Sequence, residues 1–174
     1  AIMRGHWKIG PSSSQRWLSV LTYAAEIQIW NPLTILTQGR APPSPFSFHV
    51  VNVIIHVLNS FAVAWILLGL DRGPHLSMLG ALIFVSLPLA TSAAAYISAR
   101  SSLMASLFGY LAIGSILNGA GLLAFPFLGL ALWSKEDSLI LPLTTGLVAY
   151  AYGSAWWPLF GIIPPLFLIR NWKS

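Results

Sequence analysis

Residues 45 to 70 read PFSFHVVNVIIHVLNSFAVAWILLGL, 26 residues without one Lys, Arg, Asp or Glu. About 20 mostly apolar residues in a helix cross the hydrocarbon core of a bilayer, so this run is long enough to span. The rest of the chain narrows the choice further. Charged residues make up 7% of the 174, where a water-soluble domain carries roughly 25%. A surface that poor in charge needs lipid against it. The sequence predicts an all-α, polytopic helical membrane protein.

Further apolar runs follow the first. A second crossing is expected from about Leu76 to Leu89, a third over Leu103 to Leu117, and a short fourth in LLAFPFLGLALW. Two more are expected over residues 138–152 and 155–169. Polar turns separate them: DRGPH, the Ser/Thr/Ala-rich hinge around 91–101, NGAG and SKED. Six membrane segments joined by short loops result.

The start of the chain differs. Within RWLSVLTYAAEIQIW, Trp17, Leu18, Leu21, Ala24, Ala25 and Ile29 fall on one helical face, with Ser14, Gln15, Glu26 and Gln28 partly opposing it. Such a helix is too polar to cross. It is expected along the interface, with its tryptophans at headgroup level. Three parts follow: an outer segment with this helix over 1–45, a helical bundle over 46–170, and a polar tail over 171–174. The first residue is not Met and no signal-peptide pattern precedes the body, so the chain is expected to be processed or part of something longer.

Composition removes several functions. With no cysteine, disulfide scaffolds, thiolate metal sites and cysteine nucleophiles are excluded. The net charge of +5 comes from Lys and Arg scattered singly, which is no nucleic-acid patch. The expected partners are membrane lipid and other membrane-protein subunits. With six crossings, eight of the nine basic residues share one side, and the positive-inside rule puts that side in the cytoplasm.

Three places have chemistry-bearing residues. His49, Asn52, His56 and Asn59 form a stripe about 80° wide on the first crossing. Buried polar groups in a membrane face the bundle interior. They read either as a metal or pigment site or as interhelical hydrogen bonding. His49 and His56 lie ~10 Å apart along the axis and cannot share one small metal ion, which favours hydrogen bonding; no metal ligand set is predicted. Ser134, Lys135, Glu136 and Asp137 form a boundary charge cluster. It is either an acid–base pair or a helix start with Ser134 as N-cap and acids in the first turn. Arg100, beside Ser98, Ser101 and Ser102, offers a bidentate fork to a phosphate, or snorkels at the membrane edge.

Taken together and in order, RWLSVLTYA, FSFHVVNVIIHVLNS, LPLATSAAAYISARSSLMASLF and LALWSKEDSLILPL resemble the membrane core of GT-C glycosyltransferases. The closest likeness is to the transmembrane and tetratricopeptide-repeat O-mannosyltransferases and their bacterial relatives, over residues 16 to 150. Those enzymes take a polyprenyl-phosphate sugar as donor. The resemblance implies an outer loop with an interfacial helix, and motif-bearing loops facing the lumen or periplasm. Arg16, Arg100 and Lys135 would then face an anionic lipid phosphate. It also implies a bacterial inner-membrane location, with the basic side periplasmic against the positive-inside rule. Any bound molecule expected is a polyprenyl or a phospholipid; no cofactor is predicted.

The departures from that family are chemical. Its His before the hinge proline is Leu87 here, the Glu four residues after that proline is Ser92, its glycine is Ala99, and the following acid is Ser102. Its catalytic acids lie in the first outer loop, and no Asp or Glu precedes Glu26 here. An inverting glycosyl transfer needs a base for the acceptor proton, and none is assignable, so no catalytic residue is named. The expected function is a non-catalytic relative serving as a structural or assembly subunit of a membrane complex. The alternatives are a piece of an active transferase, and a pigment- or cofactor-binding subunit using His49 or His56.

Overall fold

The computed structural model describes residues 16–38 and 45–160, which form helices joined by turns with no strand among them. The helices are α1 (Trp17–Gln38), α2 (Pro45–Gly69), α3 (Gly73–Ser86), α4 (Pro88–Ala95), α5 (Arg100–Leu117), α6 (Ala124–Ser134), α7 (Ile140–Ala151) and the single turn α8 (Trp157–Phe160). Prolines stand at the first helical positions of α3 and α4, where a missing N–H loses nothing and φ is already set. The α2–α3 turn passes through Asp71 at φ 55 and Gly73 at φ 73, left-handed positions that Asp and Gly tolerate best.

Side-chain pairings give the directions. Asn59 bonds the Leu103 carbonyl and Asn118 bonds the Trp65 carbonyl, so α2 and α5 run parallel. The α3 helix returns antiparallel to α2: His56 meets Val85, and Leu67 fills the space over Gly80. Ala112 and Ile116 share a cluster with Ala124 and Leu128, which lays α6 antiparallel along α5. Leu141 of α7 sits against Gly109. One end of the bundle therefore gathers the starts of α2 and α5, the hinge at 96–99 and the end of α6. The α1 helix packs there, against α2, α5 and α6.

Six crossings are not supported. Among the described residues two helices are long and apolar enough to cross a membrane: Phe46–Gly69, mean hydropathy 2.0, and Ile97–Leu117, mean hydropathy 1.3. The other apolar helices are Gly73–Ser86, Gly121–Ser134 and Ile140–Ala151. A 14-residue helix is ~21 Å long, short of the ~30 Å core. The reasons are local. Leu87, forced extended ahead of Pro88 (φ −65°, ψ 125°), stops α3. Lys135, extended at φ −157° and ψ 136°, stops α6. Most of the sixth expected segment, residues 161–169, lies outside the described residues, as do 1–15, 39–44 and the tail.

Polar side chains share the interior with two apolar clusters, while large apolar side chains crowd the surface. The interior holds Glu26, Asn52, His56, Asn59, Arg100 and several serines, and among the described residues Arg100 is the largest fully buried side chain. Leu76, Leu79, Leu82 and Ile83 of α3, and Ile140, Leu143 and Leu147 of α7, are exposed. Contiguous exposed apolar area of this kind marks a surface that meets something other than water. The α1 helix follows the same rule. Its apolar residues Trp17, Leu21 and Ile29 are 56%, 58% and 63% exposed, while Ser19 and Glu26 are each 4% exposed. Glu26 and Gln28, which the sequence pattern sets partly opposite the apolar face, part company: Glu26 points into the bundle, and Gln28 is exposed beside Ile29. Of the apolar face, Leu18 turns inward and Trp17, Leu21, Ala24, Ala25 and Ile29 point out.

Candidate functional site

The site is built where α1, α2 and the α4–α5 hinge converge. The hinge is short because two helices end within four residues: α4 stops at Ala95, Tyr96 is extended (φ −95°, ψ 120°), and a 3₁₀ turn over Ile97–Ala99 leads into α5. Small side chains at 92–95 and 98–99 let this turn lie against α2. Arg100, the first residue of α5, is carried inward and is 0% exposed. It neither snorkels nor reaches outward.

Three groups meet its guanidinium. Nε donates to Asn52 Oδ1 at 2.9 Å, Nη2 donates to the Phe48 carbonyl at 3.1 Å, and Nη1 stands 2.6 Å from Glu26 Oε2. This last contact is an ion pair without hydrogen-bond alignment, and Glu26 Oε1 has no hydrogen-bond partner among the described residues. The Tyr23 ring lies 4.1 Å from Arg100 Cζ, within cation–π range. Around this centre, Asn52 Nδ2 donates to the Tyr96 carbonyl at 3.0 Å and the Tyr23 hydroxyl donates to the Ile97 carbonyl. Burial pushes the Tyr23 phenol above its ordinary pKa, with Arg100 opposing and Glu26 reinforcing the shift.

One face of α1 makes these contacts possible. Leu18, Ser19, Thr22, Tyr23 and Glu26 recur at helical spacing, so the acid, the phenol and a packing leucine share one side. Leu18 joins a cluster with Ile55, Leu103 and Met104. The chemistry of the arrangement is charge neutralisation. A buried ion pair adds little net stability, but removing one partner strands the other.

The remaining candidates are placed as follows. Three of the four stripe residues bond to neighbouring segments: Asn52 as above, Asn59 to the Leu103 carbonyl at 3.0 Å, and His56 Nε2 to the Val85 carbonyl at 3.2 Å. That carbonyl is left without its helical partner by the stop at Leu87, so His56 covers the break. His49 is half-buried. Among the described residues no group of three His, Cys, Asp or Glu stands close enough to hold a metal. Arg16 is exposed at the start of α1, ten positions or ~15 Å of helix from Glu26, so it is not brought to Arg100.

Ser134 is a correction. It is the last residue of α6, and its hydroxyl donates to the Leu130 carbonyl at 2.8 Å, so it does not cap a following helix. The reason is that the entering helix already uses it. Lys135 is half-buried at the end of α6. Glu136 and Asp137 enter a 3₁₀ turn, Glu136–Leu139, and their side chains lie outside the described residues.

Sequence reasoning missed the Glu26–Arg100 pair. The signal was present: each is a lone charge in an apolar setting, and ionisable groups in such settings pair with one another. Tyr23, three residues before Glu26, shares its face. Comparison with family models, with curated proteins and with solved structures finds no match.

Proposed function

We propose that this chain is a non-catalytic, lipid-embedded relative of GT-C glycosyltransferases that serves as a structural subunit of a larger membrane complex. One observation carries the reading: the arginine of the transferase-like hinge is enclosed, its charge paired with Glu26 and its Nε and Nη2 donating to Asn52 and the Phe48 carbonyl. A hinge so tied holds three segments together and presents no free cation to a donor phosphate. The exposed apolar faces of α1, α3 and α7 supply surface for lipid and for neighbouring subunits. An inner-membrane location with the hinge end periplasmic belongs to the same proposal and rests on the motif resemblance. In a complex, native purification followed by mass spectrometry returns a constant set of partner subunits. A chain that purifies alone and turns over polyprenyl-phosphate sugar overturns it.

A second reading has one observation in its favour. Glu26 places a carboxylate oxygen without a hydrogen-bond partner beside the hinge, and an acid in that position suits a transferase that rearranges on binding donor and acceptor. Turnover that disappears in Glu26→Gln selects this reading.

A further inference from the structure

We propose that Asn118 is a modification site: its side-chain amide is hydrolysed through a cyclic imide formed with Gly119, which releases α5 from α2 at the end opposite the hinge. The proposal goes beyond the subunit reading and does not depend on it. Three features support it.

The reacting groups are adjacent and meet water. Asn118 is the only asparagine of the chain followed by glycine, and a residue without a side chain lets its backbone approach a neighbouring group closely. Both residues are exposed at the turn that ends α5. Gly119 sits at φ 79, and a Cβ there would have nothing within 4 Å. By contrast, Asn52 and Asn59 are buried and precede the bulkier Val53 and Ser60.

Hydrogen bonds hold the reaction back. Asn118 Nδ2 donates to the Trp65 carbonyl at 3.1 Å and to the Gly114 carbonyl at 2.9 Å. The Gly119 N–H donates to the Ile116 carbonyl at 3.1 Å. Attack needs that nitrogen deprotonated and turned onto Asn118 Cγ, so the turn has to open first. The bond from the Gly119 nitrogen to Cγ then forms, the Cγ–Nδ2 bond breaks, and ammonia leaves. Water opens the imide at either carbonyl, giving aspartate or isoaspartate. The rate follows the open population of the turn, as for other chemistry on a locally opened segment.

The product cannot rebuild the contact. A carboxylate only accepts hydrogen bonds, and this one faces the oxygens of Trp65 and Gly114. Isoaspartate also lengthens the backbone by a methylene, displacing the bonds from Gly119 to Ile116 and from Ala120 to Ser115. The change is one-way.

Gly69 offers a test. A Cβ there would lie 2.7 Å from Asn118 Nδ2, so Gly69→Ala presses the amide off its acceptors. Full-length chains are reconstituted in phosphatidylcholine vesicles, aged in neutral buffer and mapped by peptide mass spectrometry. Gly69→Ala is expected to gain aspartate and isoaspartate at 118 about tenfold faster than the original sequence, with Asn52 and Asn59 intact. The chain has no cysteine, so single thiols read the consequence. Ser115→Cys reports near the α5–α6 turn and Ser101→Cys near the hinge, both from buried positions. In aged chains with Gly69 retained, the fraction modified at 118 is expected to react with maleimide about tenfold faster at 115 and unchanged at 101. Should Gly69→Ala fail to insert, this labelling decides alone. Equal modification rates in the two sequences overturn the proposal, as does the absence of a modified fraction at 118. Labelling at 115 that ignores the modification, or rises in step with 101, overturns it too.

Discussion

The same two helices, α2 and α5, are joined at their two ends by different physics. At the hinge end the contact is a chain of polar groups: Asn52 accepts from Arg100, Arg100 faces Glu26, and Asn59 bonds the Leu103 carbonyl. At the far end the contact is close approach of backbone. A Cβ on Gly69 would lie 2.6 Å from Leu117 Cβ, and one on Gly114 would lie 2.8 Å from the Trp65 ring. Asn118 adds bonds to the Trp65 and Gly114 carbonyls. The far end is specified by shape, and the hinge end by charge. Shape tolerates solvent changes and no added volume. Charge tolerates some volume and no loss of a partner.

The largest test of this contrast is at Arg100. Arg100→Gln strands the Glu26 carboxylate in the interior, and the expected loss is about 3–5 kcal/mol, read by denaturation in detergent micelles. Replacing both members, Arg100→Met with Glu26→Leu, is expected to restore most of it, since an apolar pair leaves no buried charge. A double variant as unstable as the single one would break the charge account. Next comes Gly69→Ala, where the new methyl overlaps Leu117 at the far end. A loss of about 1–3 kcal/mol is expected, unaffected by pH or salt. If it costs nothing, the far end is not shape-limited.

A smaller effect is tied to Tyr23. Its phenol is raised by burial, so the neutral form belongs to the fold. Its contribution is complete below about pH 10, the unfolded value, and falls away as pH rises through the higher folded value. Stability of the chain should decline in that alkaline window, and Tyr23→Phe should remove this part of the decline. Smallest of all is Leu79→Ala on the exposed face of α3, expected within about 0.5 kcal/mol of the original. A large loss there would mean the exposed faces pack against protein rather than detergent or lipid.

Much of the helical architecture was legible in the residues, and the number of crossings was not. The apolar run at 46–69 reads as a long helix because nothing interrupts it. Residues 76–89 also read as one span. The break at Leu87 follows from the steric demand of Pro88 on the residue before it, which hydropathy does not register. The stripe on α2 was legible because four polar residues at helical spacing in an apolar run have to face the bundle. Its partners were not, because they are backbone carbonyls of Tyr96, Val85 and Leu103, which any residue supplies. From its spacing, Glu26 reads as opposing the apolar face. Amphipathicity fixes two sides but does not say which side meets the bundle, and here Trp17, Leu21 and Ile29 are the exposed ones.

The proline break in the second pass also has a mechanical consequence. Because Leu87 and Pro88 separate α3 from α4, the return limb is two rods on a pivot, with the His56 imidazole clipped to the carbonyl at the joint. Along the chain, this jointed step stands between α3 and the 96–99 turn, so the direction of α3 is set separately from that of the segment entering the hinge.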